Sequence, residues 1–243
     1  MLEKILIDKI LFLDIETVPA YPGLENAPDD YRKLWEIKAG QLKVQDENAS
    51  PEETYGRAGI YAEFGKIICI SVGYLSMEAG KFQFRIKSFH GHDEKLLLED
   101  FCKLLDSSFN TRFNYLCAHN GKEFDFPYLA RRIIINSIPL PDAFEIHGKK
   151  PWEIEYFLDT LHLWRFGDYK AYSSLALLCF SLGIPTPKDD IEGKDVWKVY
   201  YLENNPERIV NYCEKDVVAI ARLILRFKGL PTLRDEEIIK ISK

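Results

Sequence analysis

Two acidic residues, Asp14 and Glu16, stand two positions apart in an otherwise apolar segment near the start of the chain. Side chains alternate along a strand, so these two carboxylates share a face and lie about 6–7 Å apart. Burying two like charges side by side is costly unless something positive compensates them. Two divalent cations, held about 3.5–4 Å apart, would compensate them. The alternative is that both carboxylates lie at the solvated end of an edge strand.

A third acidic residue of interest, Asp125, ends the segment N-G-K-E-F-D that starts at Asn120. This segment leaves a predicted strand and starts a predicted helix, which is where α/β sheets place their functional sites. A structural interpretation is also available, because Asn-Gly is a common turn and an aspartate can cap a helix. The segment alone does not decide between the two.

Tyr212 and Asp216 are four residues apart in a predicted helix, so they lie on one face, one turn apart. Asp216 lies at the margin of the apolar stripe of this helix rather than on its solvated face. A tyrosine and an aspartate at this spacing are a weak motif when taken alone. An ordinary surface aspartate is then the simpler interpretation.

The apolar patterns predict a single α/β domain over residues 1–243 that would position these side chains. The predicted strands are 9–16, 66–75, 81–89, 114–118 and 154–158. The predicted helices are 29–46, one that starts at Ser50, 93–106, 125–136, 159–166, 173–183, 194–203 and 206–228. Strands that are followed by covering helices indicate a layered fold with a mixed sheet. The connection 17–65 is long, and we expect it to be an insertion that forms a wall beside the substrate groove.

The composition is that of an ordinary globular protein, with 47% apolar residues and a net charge of −6. No apolar run approaches the ~18 residues of a membrane span, and the first residues lack the pattern of a signal peptide. We therefore expect a cytoplasmic protein that has no membrane partner. The five cysteines form no C-x-x-C pair, which indicates buried free thiols in a reducing compartment rather than a zinc site.

The three acidic motifs occur in the order D-x-E, N-G-x-x-F-D and Y-x-x-x-D. In this order they resemble the DEDD superfamily of 3′–5′ exonucleases, in its tyrosine-containing branch. The form F-L-D-I-E-T looks most like the proofreading exonuclease domain of family-B DNA polymerases. The resemblance spans Phe12 to about Phe227, nearly the whole chain. It implies a ribonuclease-H-like α/β fold: a five-stranded mixed sheet with helices on both faces.

The resemblance also implies the roles of the acidic residues. Matched by motif, the metal ligands would be Asp14, Glu16, Asp125 and Asp216, which bind two Mg²⁺ ions that Mn²⁺ can replace. Asp14, Glu16 and Asp216 would hold the ion that activates water. The second ion would be shared through Asp14, with Asp125 acting through coordinated water, and would stabilise the leaving 3′ oxygen. Tyr212 would orient the attacking water.

Five further residues match positions that contact the 3′-terminal nucleotides in such domains: Thr17, Asn120, Phe124, Ser174 and Leu175. Phe124 either stacks on a base, a contact worth about 1–3 kcal/mol, or is a plain core aromatic. The family has a lysine that contacts the phosphate, and both Lys188 and Lys194 are candidates for it.

The implied activity is removal of nucleotides from the 3′ end of single-stranded DNA, with a separate DNA polymerase as a candidate partner. One alternative is an exoribonuclease of the same superfamily resembling ribonuclease D, although that group usually carries D-T-E rather than D-I-E-T. The other is a non-catalytic module that binds nucleic acid. A module of this kind usually loses its carboxylates, whereas all four are present here together with the tyrosine.

Overall fold

The computed structural model describes residues 2–42, 49–78, 81–168, 170, 172–186 and 190–241. Its strands are β1 Ile10–Pro19, β2 Gly65–Glu78, β3 Lys81–His90, β4 Tyr115–Ala118, β5 Phe157–Asp159 and β6 Ile238–Lys240. Its α-helices are α1 Asp29–Ala39, α2 Pro51–Thr54, α3 Glu94–Ser108, α4 Asp125–Ile135, α5 Thr160–Arg165, α6 Leu175–Ser181, α7 Val196–Tyr201 and α8 Pro206–Phe227.

The strands form one mixed sheet in the order β5-β4-β1-β2-β3-β6. β2 runs antiparallel to both of its neighbours, β1 and β3, whereas β4 lies parallel to β1 and β5 lies parallel to β4. The predicted mixed sheet is therefore confirmed. The prediction of five strands misses β6, which pairs in parallel with β3 at the sheet edge. β6 has three residues, too few for an alternating pattern to be recognised.

β1 is buried on both faces, which explains its nearly continuous apolar sequence. Phe12 packs into the cluster beneath α8. Leu13 and Ile15 pack into the cluster formed with α3 and α4. The sheet thus has helices on both faces, as predicted. Because side chains alternate, Asp14 and Glu16 share the face of Phe12, toward α8.

Both ends of α8 lie where the sequence predicts them. Asn205 accepts a hydrogen bond from the backbone N–H of Arg208 at 3.2 Å, and Pro206 occupies the first helical position. Gly229 follows the helix with a φ of +65°, a left-handed conformation that glycine adopts without a steric penalty. The predicted span 206–228 is confirmed to within a residue. This long helix lies across β1 and β2 and carries Tyr212 and Asp216.

The first helix of the 17–65 connection is shorter than the predicted 29–46. α1 ends at Ala39, and Gly40 caps it, since glycine is a poor helix former; residues 43–46 lie outside the described part of the chain. The start of the second helix is confirmed, because Ser50 and Glu53 form the predicted capping box. α2 is nevertheless only four residues long and continues as a 3₁₀ segment, Tyr55–Ile60.

The 17–65 connection has a small aromatic core of its own. Trp35 is completely buried, and its ring packs edge-on against Tyr55 and Phe64 at centroid distances of 5.7 and 5.2 Å. The indole N–H of Trp35 donates to the carbonyl oxygen of Pro51 at 2.9 Å. These contacts hold α1 and α2 together as one packed unit.

Two side chains of α4 fasten the end of this unit to the main domain. The Tyr128 hydroxyl donates to the Gly59 carbonyl at 2.8 Å, and the Arg132 guanidinium donates to the Ala62 carbonyl at 2.8 Å. Arg132 also pairs with the buried Glu94 of α3. Because a buried ion pair is costly to break, the attachment is a fixed part of the fold.

All five cysteines are buried and free, as predicted. Among the helices that the structure describes, none is long and apolar enough to cross a membrane.

Candidate active site

A cleft of about 990 Å³ opens beside the carboxyl-terminal half of β1. Its lining includes all five side chains that the sequence assigned to catalysis: Asp14, Glu16, Asp125, Tyr212 and Asp216. The three motifs, which are widely separated along the chain, therefore converge on one place.

The order of the elements explains this convergence. β4 lies parallel to β1, so the turn after β4 emerges beside the acidic end of β1 and delivers Asp125 at the first position of α4. α8 crosses β1 and presents Tyr212 and Asp216 one helical turn apart. A β-bulge between Glu16 and Thr17 interrupts the alternation of β1, and both neighbours line the cleft.

The carboxylates raise one another's affinity for protons. Burial raises the pKa of Asp14 well above its usual range, and the nearby charges of Asp216, Glu16 and Asp125 raise it further. Burial also raises the pKa of Asp125 to about 7, although hydrogen bonds from its own amide and that of Ile15 oppose the shift. The carboxylates therefore lie close enough together for their charges to repel one another.

This donor set fits divalent cations. Carboxylate oxygens are the hard ligands that Mg²⁺ and Mn²⁺ prefer, and the cleft brings four of these side chains together. Cations bound here would also offset the charge repulsion that raises the pKa of Asp14.

Tyr212 is 7% exposed and lies beside the carboxylates. Burial raises its pKa, and the charges of Asp216, Glu16 and Asp14 raise it further. The phenol therefore keeps its proton at neutral pH. Its hydroxyl can donate or accept a hydrogen bond in the cleft.

Cys213 belongs to the same cluster, which the sequence interpretation missed. Its thiol donates to the backbone oxygen and to Oδ2 of Asp14, both at 3.4 Å. One ligand atom each from Asp14, Glu16 and Cys213 lie within 4.8 Å of one another. The signal was available, because Cys213 precedes Asp216 by three residues and so shares its helix face.

Three of the residues predicted to bind substrate line the cleft: Thr17, Asn120 and Phe124. Asn120 adopts a left-handed φ of 59°, which is uncommon for residues other than glycine. Phe124 is half-buried, and its ring lies 5.3 Å from that of Tyr128, so it serves both the core and the surface of the cleft. Its packing against Tyr128 agrees with the core interpretation, and its contact with a base stays a prediction.

The other two, Ser174 and Leu175, contribute to the fold, one as a helix cap and one as a core residue. Ser174 caps α6 by accepting a hydrogen bond from the Leu177 amide at 3.2 Å. Leu175 is 8% exposed and packs in the core beneath α8. Neither is among the described residues that line the cleft, and their contact with substrate stays a prediction.

The 17–65 connection supplies one side of the cleft. The part that we name the cleft wall is residues 51–60, and Tyr55 and Arg57 are among its members that line the cleft. Lys194, one of the two candidate phosphate contacts, is exposed, lines the cleft and pairs with Glu192 at 2.8 Å. The other candidate, Lys188, lies outside the described residues.

The shifted pKa of Asp125 predicts how the metal-free protein responds to pH. The pKa is about 7 in the fold and ~3.9 in an unfolded chain, so the folded state binds the extra proton. The contribution of Asp125 to stability is therefore present at low pH and is lost as the pH rises through 7. We expect metal-free Asp125→Asn to melt above the parent at about pH 8, and the gap to shrink at about pH 5.5.

Thermal melting in chelator at the two pH values measures this gap. Adding Mn²⁺ at the higher pH should raise the melting temperature of the parent more than that of Asp125→Asn, because a ligand that binds the folded state stabilises it. A gap that does not change with pH would contradict the assignment of a raised pKa to Asp125.

Comparison with known proteins agrees with the geometry. Residues 60–238 match a family described as a predicted 3′–5′ exonuclease related to the exonuclease domain of PolB. The fold resembles that of the family B DNA polymerase from the hyperthermophilic archaeon Pyrobaculum calidifontis, with a TM-score of 0.53 and 16% identity. That similarity covers 90% of this chain and 24% of the polymerase chain. A search of curated proteins found no match.

Proposed function

Because the chain belongs to the family of predicted 3′–5′ exonucleases related to the exonuclease domain of PolB, we propose that it removes nucleotides from the 3′ end of single-stranded DNA. The proposed reaction is phosphodiester hydrolysis assisted by two divalent metal ions, Mg²⁺ or, in its place, Mn²⁺. The observation that carries the proposal is the convergence of four carboxylates and a protonated tyrosine in one cleft.

We assign the acidic residues to the two ions as ligands. Asp14, Glu16 and Asp216 would hold one ion, while Asp14 would share in binding the second and Asp125 would support it through water. When bound, the ions activate water and neutralise the charge that develops on the phosphate and the leaving 3′ oxygen. Tyr212 would donate or accept a hydrogen bond that orients the water for attack. Its raised pKa supports this role, because a neutral phenol orients water without taking its proton.

The cleft offers contacts for a flexible strand. The accessible side of Phe124 can stack on a terminal base without regard to its identity. Arg57, Lys194 and Lys198 line the same cleft and bring positive charge within reach of phosphate oxygens. The protein of similar fold is a DNA polymerase, which supports DNA as the substrate and a separate DNA polymerase as a candidate partner.

Digestion of end-labelled strands tests the proposal. With Mg²⁺ and a 3′-labelled single strand of DNA, the label should appear at once as a mononucleotide. With a 5′ label, the strand should shorten one nucleotide at a time. Matched RNA strands test the exoribonuclease alternative. If RNA is digested faster than DNA, RNA rather than DNA is the substrate. Release of the 5′ label as the first product would contradict the proposed direction.

A further inference from the structure

Asp159, the last residue of β5, makes an unusual set of hydrogen bonds. It is 2% exposed, and its carboxylate accepts from four backbone N–H groups. Oδ1 accepts from Asn120 at 3.0 Å, from Leu161 at 2.9 Å and from His162 at 3.3 Å, while Oδ2 accepts from Lys122 at 3.0 Å. One side chain therefore joins the turn after β4 to the first turn of α5.

The turn that Asp159 holds leads directly into α4. Its left-handed residue, Asn120, accepts from the Phe124 amide at 3.0 Å, and the Gly121 carbonyl accepts from the Phe126 amide at 2.9 Å. Asp125 lies between these two amides, at the first position of α4. The place of the Asp125 carboxylate thus depends on the turn, and the turn depends on Asp159.

The turn has little freedom to adjust by itself. A Cβ atom on Gly121 would lie 2.4 Å from the Cβ of Ala118, so the turn packs closely on the end of β4. A left-handed residue other than glycine costs free energy and persists only where its surroundings hold it. The two N–H groups that Asp159 fixes flank Gly121 on either side.

We propose that Asp159 is a positioning residue for the exonuclease reaction. It is not among the described residues that line the cleft, and it acts through the turn, holding Asn120 and Asp125 where the substrate end and the metal ions require them. This inference rests on the proposed function. A misplacement of about 1 Å by a change away from the reacting atoms can cost about 100-fold in rate.

Two substitutions separate the contact with the turn from the cap on α5. Asp159→Asn keeps the size of the side chain, but one of its two oxygens becomes an N–H₂ group, which cannot accept. Asp159→Ser keeps a good cap for α5 but is too short to reach the turn. We expect the rate of 3′ nucleotide release to fall about 100-fold in both variants. The melting temperature of Asp159→Ser should be closer to that of the parent than the melting temperature of Asp159→Asn, because serine keeps the cap.

Asp93→Ala is the matched control. Asp93 caps α3 by accepting from the Leu96 amide at 3.1 Å, and it is not among the described residues that line the cleft. Its loss should lower the melting temperature and leave the rate unchanged. Crystal structures of both Asp159 variants should show the Asn120 turn and the Asp125 carboxylate displaced by about 1 Å.

Each outcome decides the proposal. Parental rates with an unmoved Asp125 would overturn it, and so would a loss of rate no larger than that of Asp93→Ala at equal loss of stability. If the parent itself releases no nucleotide, the proposed function fails. The position of Asp125 in the variant crystals then still decides whether Asp159 holds it. If Asp159→Asn does not fold, the Asp159→Ser variant, which keeps its cap, provides the same comparison.

Discussion

Replacing Asp14 with alanine is expected to reduce the release of 3′ nucleotides to background. Asp14 is the one ligand proposed to touch both metal ions, and its carboxylate lies close enough to Asp216, Glu16 and Asp125 for their charges to raise its pKa. Without it, the remaining carboxylates cannot hold the pair of ions that the reaction requires. Single-turnover digestion of a 3′-labelled strand measures the loss.

The rate of 3′ nucleotide release by Tyr212→Phe should lie between that of Asp14→Ala and that of the parent. The substitution keeps the ring and its packing and removes only the hydroxyl that is proposed to orient the water. The expected loss is that of one positioning or proton-transfer group, roughly 10- to 1,000-fold. Metal binding should survive, because Tyr212 contributes no carboxylate. Affinity for a single strand in metal-free buffer should be similar for Asp14→Ala, Tyr212→Phe and the parent.

Glu214→Gln provides a matched control on the same helix. Glu214 is 8% exposed, accepts a hydrogen bond from Ser88 at 2.9 Å and pairs with Lys240. It is outside the set of described residues that line the cleft, so its activity should stay at the parental level. Equal activity in all four proteins would mean that a contaminant produces the cleavage. A non-catalytic module that binds nucleic acid would then be the better interpretation.

Removal of divalent metal is expected to abolish cleavage completely. The protein supplies carboxylates and a neutral phenol, and none of these groups replaces the charge neutralisation that metal ions give to a phosphodiester. Calorimetric titration with Mn²⁺ should find two sites in the parent and neither of them in Asp14→Ala. A crystal soaked in Mn²⁺ should show two ions about 4 Å apart.

Excess Mg²⁺ added after the chelator controls for damage to the protein and should restore the full rate. Asp216→Asn should lose the ion that is assigned to Asp14, Glu16 and Asp216, whereas Glu214→Gln should bind Mn²⁺ like the parent. Undiminished cleavage in excess chelator would exclude the proposed metal-assisted chemistry.

The features that could be predicted from the sequence are those with local causes. Asn205, Pro206 and Gly229 delimit α8 because caps and breakers act within one turn of the chain. The apolar run around Phe12 identifies β1 because the strand is buried on both faces. The convergence of the acidic motifs followed from their order and from the resemblance to exonucleases, which no single motif would have justified.

The features that could not be predicted depend on distant partners. The Asp159 carboxylate acts on an amide 39 residues away, and the Cys213 thiol acts on Asp14, 199 residues away. The spacing of Cys213 and Asp216 shows that they share a helix face, but no local pattern reveals a contact with a partner so distant in the sequence. Ser174 illustrates the opposite difficulty, since the motif that suggested substrate contact is also a good helix cap. β6 is too short to show any periodicity.

The attachment of the cleft wall to α4 has an evolutionary consequence. α4 begins with Asp125, and one and two turns later its Tyr128 and Arg132 hold the carbonyls of Gly59 and Ala62. One side of the cleft and one of its proposed metal ligands are therefore attached to the same helix. Substitutions that tilt α4 against the sheet would carry both together and preserve the distance between the cleft wall and Asp125. Under the proposed function, evolutionary drift in the surrounding core would then alter the rate and leave the spacing of the cleft wall from Asp125 unchanged.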